Sequence, residues 1–175
     1  MVELKKQNYK KNKSLYNKIE KELRKSLDKS IPIDQVGSTV IPNMYGKNII
    51  DIVIGAKDDD EFQNIKKILE RMNYAGSKKS QDSIYQFFAS TEEETGAGDV
   101  HIHLVIKETE RYLEFLILKQ YLLDNPLEAK KYSDFKREII KKGIEDRREY
   151  KRVKSEYVSA LLERAKKAVK KVWNH

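Results

Sequence analysis

The chain has 175 residues, a mass of 20.6 kDa and a formal net charge of +8, so one folded domain is the starting expectation. A hydrophobic fraction of 39% supplies a core, and a chain of this length buries roughly 70% of the surface its unfolded form exposes. With no cysteine, disulfides, thiolate metal sites and cysteine nucleophiles are excluded. The charged N-terminus lacks a secretory core, and no apolar run reaches the ~18 residues of a membrane span. A soluble, cytoplasmic protein with no membrane partner is therefore expected.

Residues 1–30 predict an N-terminal helix, with Leu15, Ile19, Leu23 and Leu27 on one face. A core over 31–125 follows, starting with a short strand at Ile33–Val36 and a Pro-containing loop. The run Ile49-Ile50-Asp51-Ile52-Val53-Ile54 predicts a strand buried on both faces. Asp58, Asp59, Asp60 and Glu61 favour a helix start, since carboxylates complement the N-terminal end of the helix dipole. That helix ends before Gly76. Two further strands lie in SIYQFFA and DVHIHLVIK, separated by an acidic loop from Thr91 to Gly98. In the second, His101 and His103 share one face, with Asp99 beside them if the strand begins that early. Helices fill 126–175 after a break at Asp124–Pro126. The last is marked by Tyr150, Val153, Tyr157, Leu161, Ala165, Ala168 and Val172. The fold class is α/β (α+β), a small mixed sheet with helices at both ends.

Charge is unevenly placed, with a balance of +6 in residues 1–30, −6 in 31–126 and +8 in 127–175. Basic C-terminal helices can attract RNA or another polyanion, although lysine-rich helix faces are also ordinary solvated surface.

Asp51 is the most informative residue, because a carboxylate within an apolar strand is costly unless compensated. A metal ion, a lysine, backbone donors or an exposed strand edge could each supply the compensation. Gly37 and Ser38, directly after the first strand, suit a turn that holds phosphate oxygens. Lys47, four residues before Asp51, either neutralises it or meets a phosphate. His101 and His103 with Asp51 are enough ligands for one Zn²⁺, Mn²⁺ or Fe²⁺, or the two His form a hydrogen-bonded patch or donate to phosphate. Ser38 lacks the G-x-S-x-G context of an activated nucleophile.

Gly37-Ser38, a gap of twelve residues, then Asp51 in an apolar strand resembles the nucleotidyltransferase superfamily signature. More closely, GSTVIPNMYGKNIIDIVIG resembles the GrpB family through Gly37, Ser38, Thr39, Pro42, Lys47, Ile49, Ile50 and Asp51. HIHLV at 101–105 is similar to that family's His-x-His strand. Tyr121, Leu122, Tyr132, Lys136, Tyr150 and Lys154 fall at its helical Tyr and Lys positions. The resemblance covers roughly residues 30–160 and implies a nucleotidyltransferase-like fold. It further implies transfer of a nucleotidyl group from a nucleoside triphosphate to an unknown acceptor, with Mg²⁺ or Mn²⁺. Gly37, Ser38 and Thr39 would bind the nucleotide, and Asp51, Lys47, His101 and His103 would do the chemistry. Departures are Gln35 for a family His, Asn48 for Pro, and Lys119-Gln120 for Arg-Asp. Val53 stands where an active nucleotidyltransferase carries a second carboxylate, so a silent nucleotide- or RNA-binding module and a single-metal hydrolase remain as alternatives.

Overall fold

The computed structural model describes residues 2–90 and 99–173. Strand β1 (Lys5–Lys6) leads into helix α1 (Tyr9–Leu23), then β2 (Ile33–Val36), a 3-10 turn at Ser38–Val40, β3 (Tyr45–Gly46) and β4 (Ile50–Ala56). Helix α2 (Asp59–Arg71) precedes β5 (Ala75–Asp82), β6 (Tyr85–Ser90) and β7 (Val100–Ile106). Helices α3 (Glu110–Asp124), α4 (Pro126–Lys141) and α5 (Arg147–Trp173) close the chain. The acidic loop expected at Thr91–Gly98 lies outside the described residues.

The main sheet has the order β2-β4-β7-β6-β5. β4 and β7 run parallel, while the other neighbours are antiparallel. The result is the small mixed sheet with flanking helices that the sequence predicts. β4 lies between two strands, which removes the edge-strand explanation of Asp51. A separate pair of short strands, β1 and β3, sits beside the sheet.

Alternation divides the sheet into two faces. Ile50, Ile52, Ile54, Ile102, Leu104 and Phe88 point to one face and pack under Ile19 and Leu23 of α1 and Phe62, Ile65 and Leu69 of α2. Each such side chain contributes about 1.5–3 kcal/mol on burial. The opposite face holds Val36, Val53 and Val105 beneath Tyr112, Phe115 and Leu116 of α3. Ile41 and Met44, in the segment after the 3-10 turn, share a third cluster with Leu122, Tyr132 and Leu161. The C-terminal helices are thereby fixed against the segment that carries Gly37 and Ser38.

Local sequence explains the boundaries. Asp58 accepts a hydrogen bond from the Glu61 N–H at 2.8 Å, and the Glu61 carboxylate accepts from the Lys57 N–H at 2.7 Å, capping α2 from both sides. Asn73, at φ 65°, ends that helix in the left-handed region. Pro126 opens α4 at a position where its missing N–H costs nothing. Among the described residues no helix is long and apolar enough to cross a membrane.

Candidate phosphate-binding cleft

Sheet register assembles the site. Val36 pairs with Asp51, and Asp51 pairs with His101, so all three side chains lie side by side on the face opposite α1 and α2. Gly37 follows Val36 with φ 73°. A Cβ built on it would sit 2.3 Å from Asp51 Oδ2, so the glycine is required both for its backbone and for the approach of the carboxylate. Gly46 of β3 leaves equivalent room for Ser38, whose Oγ would lie 2.4 Å from an added Cβ. Gln7 holds that strand in place by donating to the Gly46 carbonyl at 3.0 Å, and Asn12 donates in turn to Gln7 Oε1.

The two histidines diverge. His101 Nδ1 is 3.3 Å from Asp51 Oδ1 and meets the edge of Phe87. His103 lies beside Val53 in the register. Its Nδ1 is 2.9 Å from the Tyr85 hydroxyl, with Phe87 and Phe115 around the ring. Burial pushes the His103 pKa down to about 4, so the ring is neutral near pH 7. Asp99 precedes β7 and is exposed. Among the described residues no group of three or more His, Asp or Glu is placed to hold a metal ion. Asp51, His101 and His103 are thus not brought together as a ligand set.

Lysines gather around Asp51 instead. Lys136 is 3% exposed, donates to the Tyr45 carbonyl and stands 4.7 Å from the Tyr132 ring centroid. Burial, with Lys154 adding repulsion, pushes its pKa down to about 7, while Asp51 opposes the shift. Lys154 of α5 is lowered by burial and held up by the same carboxylate. Lys47, over the Tyr150 ring at 5.0 Å, is lowered by burial and by Lys154, with Asp51 again opposing. One carboxylate thus acts on three lysines whose charged forms burial disfavours.

A cleft of about 710 Å³ opens here, lined by Gly37, Ser38, Asp51, His103, Tyr132 and Lys154 among others. Its apolar wall comes from Tyr85, Phe115, Leu118, Leu122, Val158 and Leu162. Arg111 stacks over Tyr85 at 4.4 Å and pairs with Asp82 at 2.7 Å. Lys119 pairs with Asp34 at 2.9 Å. Lys47 and His101 flank the cleft without lining it. Thr39 does not reach it: the side chain is 1% exposed, turned inward to Gln35 at 3.3 Å. Lys136 and Lys154 were marked in the sequence only by resemblance, since lysines on helices over 90 residues from Ser38 carry no local signal.

The Mg²⁺ or Mn²⁺ implied by the resemblance calls for several oxygen ligands, and a two-ion centre for more than one carboxylate. Val53, fully buried in the apolar cluster with Val36 and Val105, occupies the second carboxylate position. The residues present do not fit a two-ion centre.

A model of the family described as GrpB protein matches residues 2–164. A UPF0157 protein of Pseudomonas aeruginosa is 30% identical over 135 residues, which are 76% of this chain and 54% of that protein. The chain thus spans about half the length of that relative. The glutamate-rich protein GrpB of Alkalihalophilus pseudofirmus is 30% identical over 133 residues, covering 74% of this chain and 76% of that one. The crystal structure of a conserved protein GrpB from Enterococcus faecalis superposes with a TM-score of 0.79 at 19% identity, covering 98% of this chain and 99% of that one. With its sequence matched from end to end of the sheet and its fold shared, the chain belongs to the GrpB family.

Proposed function

We propose that the cleft binds a nucleoside triphosphate through protein cations rather than through a protein-held metal pair. The observation that carries this reading is a cleft lined by Gly37, Ser38, Asp51 and Lys154, with Lys47 and Lys136 near enough to feel the Asp51 charge. A lysine taken out of water either gives up its proton or needs an anion, which a bound phosphate would supply. Phosphate oxygens would take up the Gly37-Ser38 turn and Lys154, where low dielectric strengthens each contact. The wall of Tyr85, Phe115 and Leu118 suits the flat face of a heterocyclic base. With Val53 in place of a carboxylate, binding without nucleotidyl transfer is the favoured reading.

The second reading is nucleotidyl transfer to an unknown acceptor with Mg²⁺ or Mn²⁺, and the position of Asp51 beside Gly37 and Ser38 in one cleft favours it. A thermal-shift titration with ATP, GTP, CTP and UTP, in EDTA or with Mg²⁺ or Mn²⁺, separates the two. Binding through lysines raises the melting temperature in EDTA, and the shift disappears in Lys154→Gln. At a hundredfold excess over Kd the ligand adds about 2.7 kcal/mol to native stability. No shift with any nucleotide would overturn both readings.

A further inference from the structure

Cations on α5 divide into two groups. Arg152, Arg164 and Lys166 each have a carboxylate within 4 Å, from Glu156, Glu128, and Glu110 with Glu114. Arg147, Arg148, Lys151, Lys154 and Lys167, by contrast, have no ion pair with a described residue. Lys167 stands alone near the far end of α5, whereas the other four stand in its first two turns, where helix-dipole considerations alone would favour acidic side chains. Arg147, Arg148 and Lys151 are exposed and line a surface depression together with Asp146. The Asp146 carboxylate is occupied: it accepts from the N–H groups of Arg148 and Glu149 at 3.0 and 2.9 Å.

Residues 147, 151 and 154 are spaced four and three apart, so they form one stripe about 10 Å long. The stripe has a direction. Lys154 lines the cleft, whereas Arg147 and Lys151 lie outside it. Lys47 meets α5 beside this stripe, with its Nζ 5.0 Å from the ring centroid of Tyr150, which lies between Arg147 and Lys154. A stripe of one sign that begins inside a cleft and continues over the surface matches a ligand with repeating negative charge and one end in the cleft.

We infer that Arg147, Lys151 and Lys47 form a track for the sugar-phosphate backbone of a single-stranded polynucleotide whose terminal nucleotide enters the cleft. The placement of that terminal nucleotide rests on the nucleotide-binding reading above. A single strand is the form proposed, because one end of the stripe lies inside the cleft and a terminal nucleotide without a pairing partner can enter it. RNA and single-stranded DNA share the backbone chemistry, and the sugar is decided by experiment.

The test measures binding of a fluorescein-labelled ten-nucleotide oligomer, as RNA and as DNA, together with ATP binding. Wild type, Arg147→Gln/Lys151→Gln and Arg152→Gln are compared from 50 to 200 mM salt. All three substitutions are at exposed positions, so matching melting temperatures confirm intact folds. The expected result is at least tenfold weaker oligomer binding by the double variant, with unchanged ATP binding. Its log Kd against log salt slope should fall by about 1.4, at about 0.7 per lost phosphate contact. Arg152→Gln should match wild type. Tighter binding of RNA than DNA assigns the strand as RNA, and equal binding assigns either sugar; both support the track. Equal oligomer affinity in wild type and double variant overturns it, as does displacement of the oligomer by inorganic tripolyphosphate at equal phosphate concentration. Oligomer binding that depends on Arg147 and Lys151 without any ATP binding leaves the track standing and removes the cleft reading.

Discussion

Lys136 and His103 show how burial sets charge at single positions, in directions that pH can test. Lys136 has a folded-state pKa of about 7, below the usual lysine range, and an anion beside it would raise that value again. Nucleotide binding at pH 8 should therefore take up a proton, and affinity should fall as pH rises above 7. Calorimetry in two buffers of different ionisation enthalpy reads this directly; equal heats in both would contradict it. For His103, with its pKa lowered to about 4, the unfolded chain binds the extra proton between about pH 6.5 and 4. Stability is thus complete above pH 6.5 and is lost as pH falls through that window, by at most about 3 kcal/mol. Urea unfolding at pH 4.5 and 7 should show the loss in wild type and a smaller one in His103→Gln. Gly37→Ala combines a strained φ with a clash on Asp51. It should cost at least ~1 kcal/mol and weaken nucleotide binding, in a denaturant melt and a titration run together. Asp51 was legible from sequence because a carboxylate in an apolar strand is anomalous by itself. The fates of the two histidines were not, since alternation put both on one face and their different partners, Asp51 for His101 and the diagonal Tyr85 for His103, lie on neighbouring strands.

At the scale of elements, the strands and helices with strong periodicity could be read directly. β2, β4, the start of α2 and the break before Pro126 follow from β-branched runs, acidic caps and proline. β5 could not: AGSKKSQD has no apolar alternation, and it is a strand because it lies on the sheet edge, where Lys78 and Lys79 face solvent and pairing comes from β6. β1 and β3, two residues each, depend on each other and on Gln7 rather than on propensity. The cap of α2 gives a prediction at this scale. Asp58→Ala should destabilise by about 1 kcal/mol, measured by urea unfolding, with nucleotide binding unaffected because α2 covers the face opposite the cleft.

Across the whole molecule, the cleft exists because two parts far apart in sequence meet. The sheet supplies Gly37, Ser38 and Asp51, and the C-terminal helices supply Tyr132 and Lys154. Leu161, fully buried, holds α5 in this arrangement, so Leu161→Ala should cost about 2–5 kcal/mol and abolish nucleotide binding together with stability. The most direct measurement is calorimetric titration of ATP into wild type and Asp51→Asn, each in EDTA and in Mg²⁺. Binding through the lysines predicts that wild type binds in EDTA, and that Asp51→Asn binds equally well or better because a charge facing the phosphates is gone. Binding that requires Mg²⁺ and is lost in Asp51→Asn would contradict it.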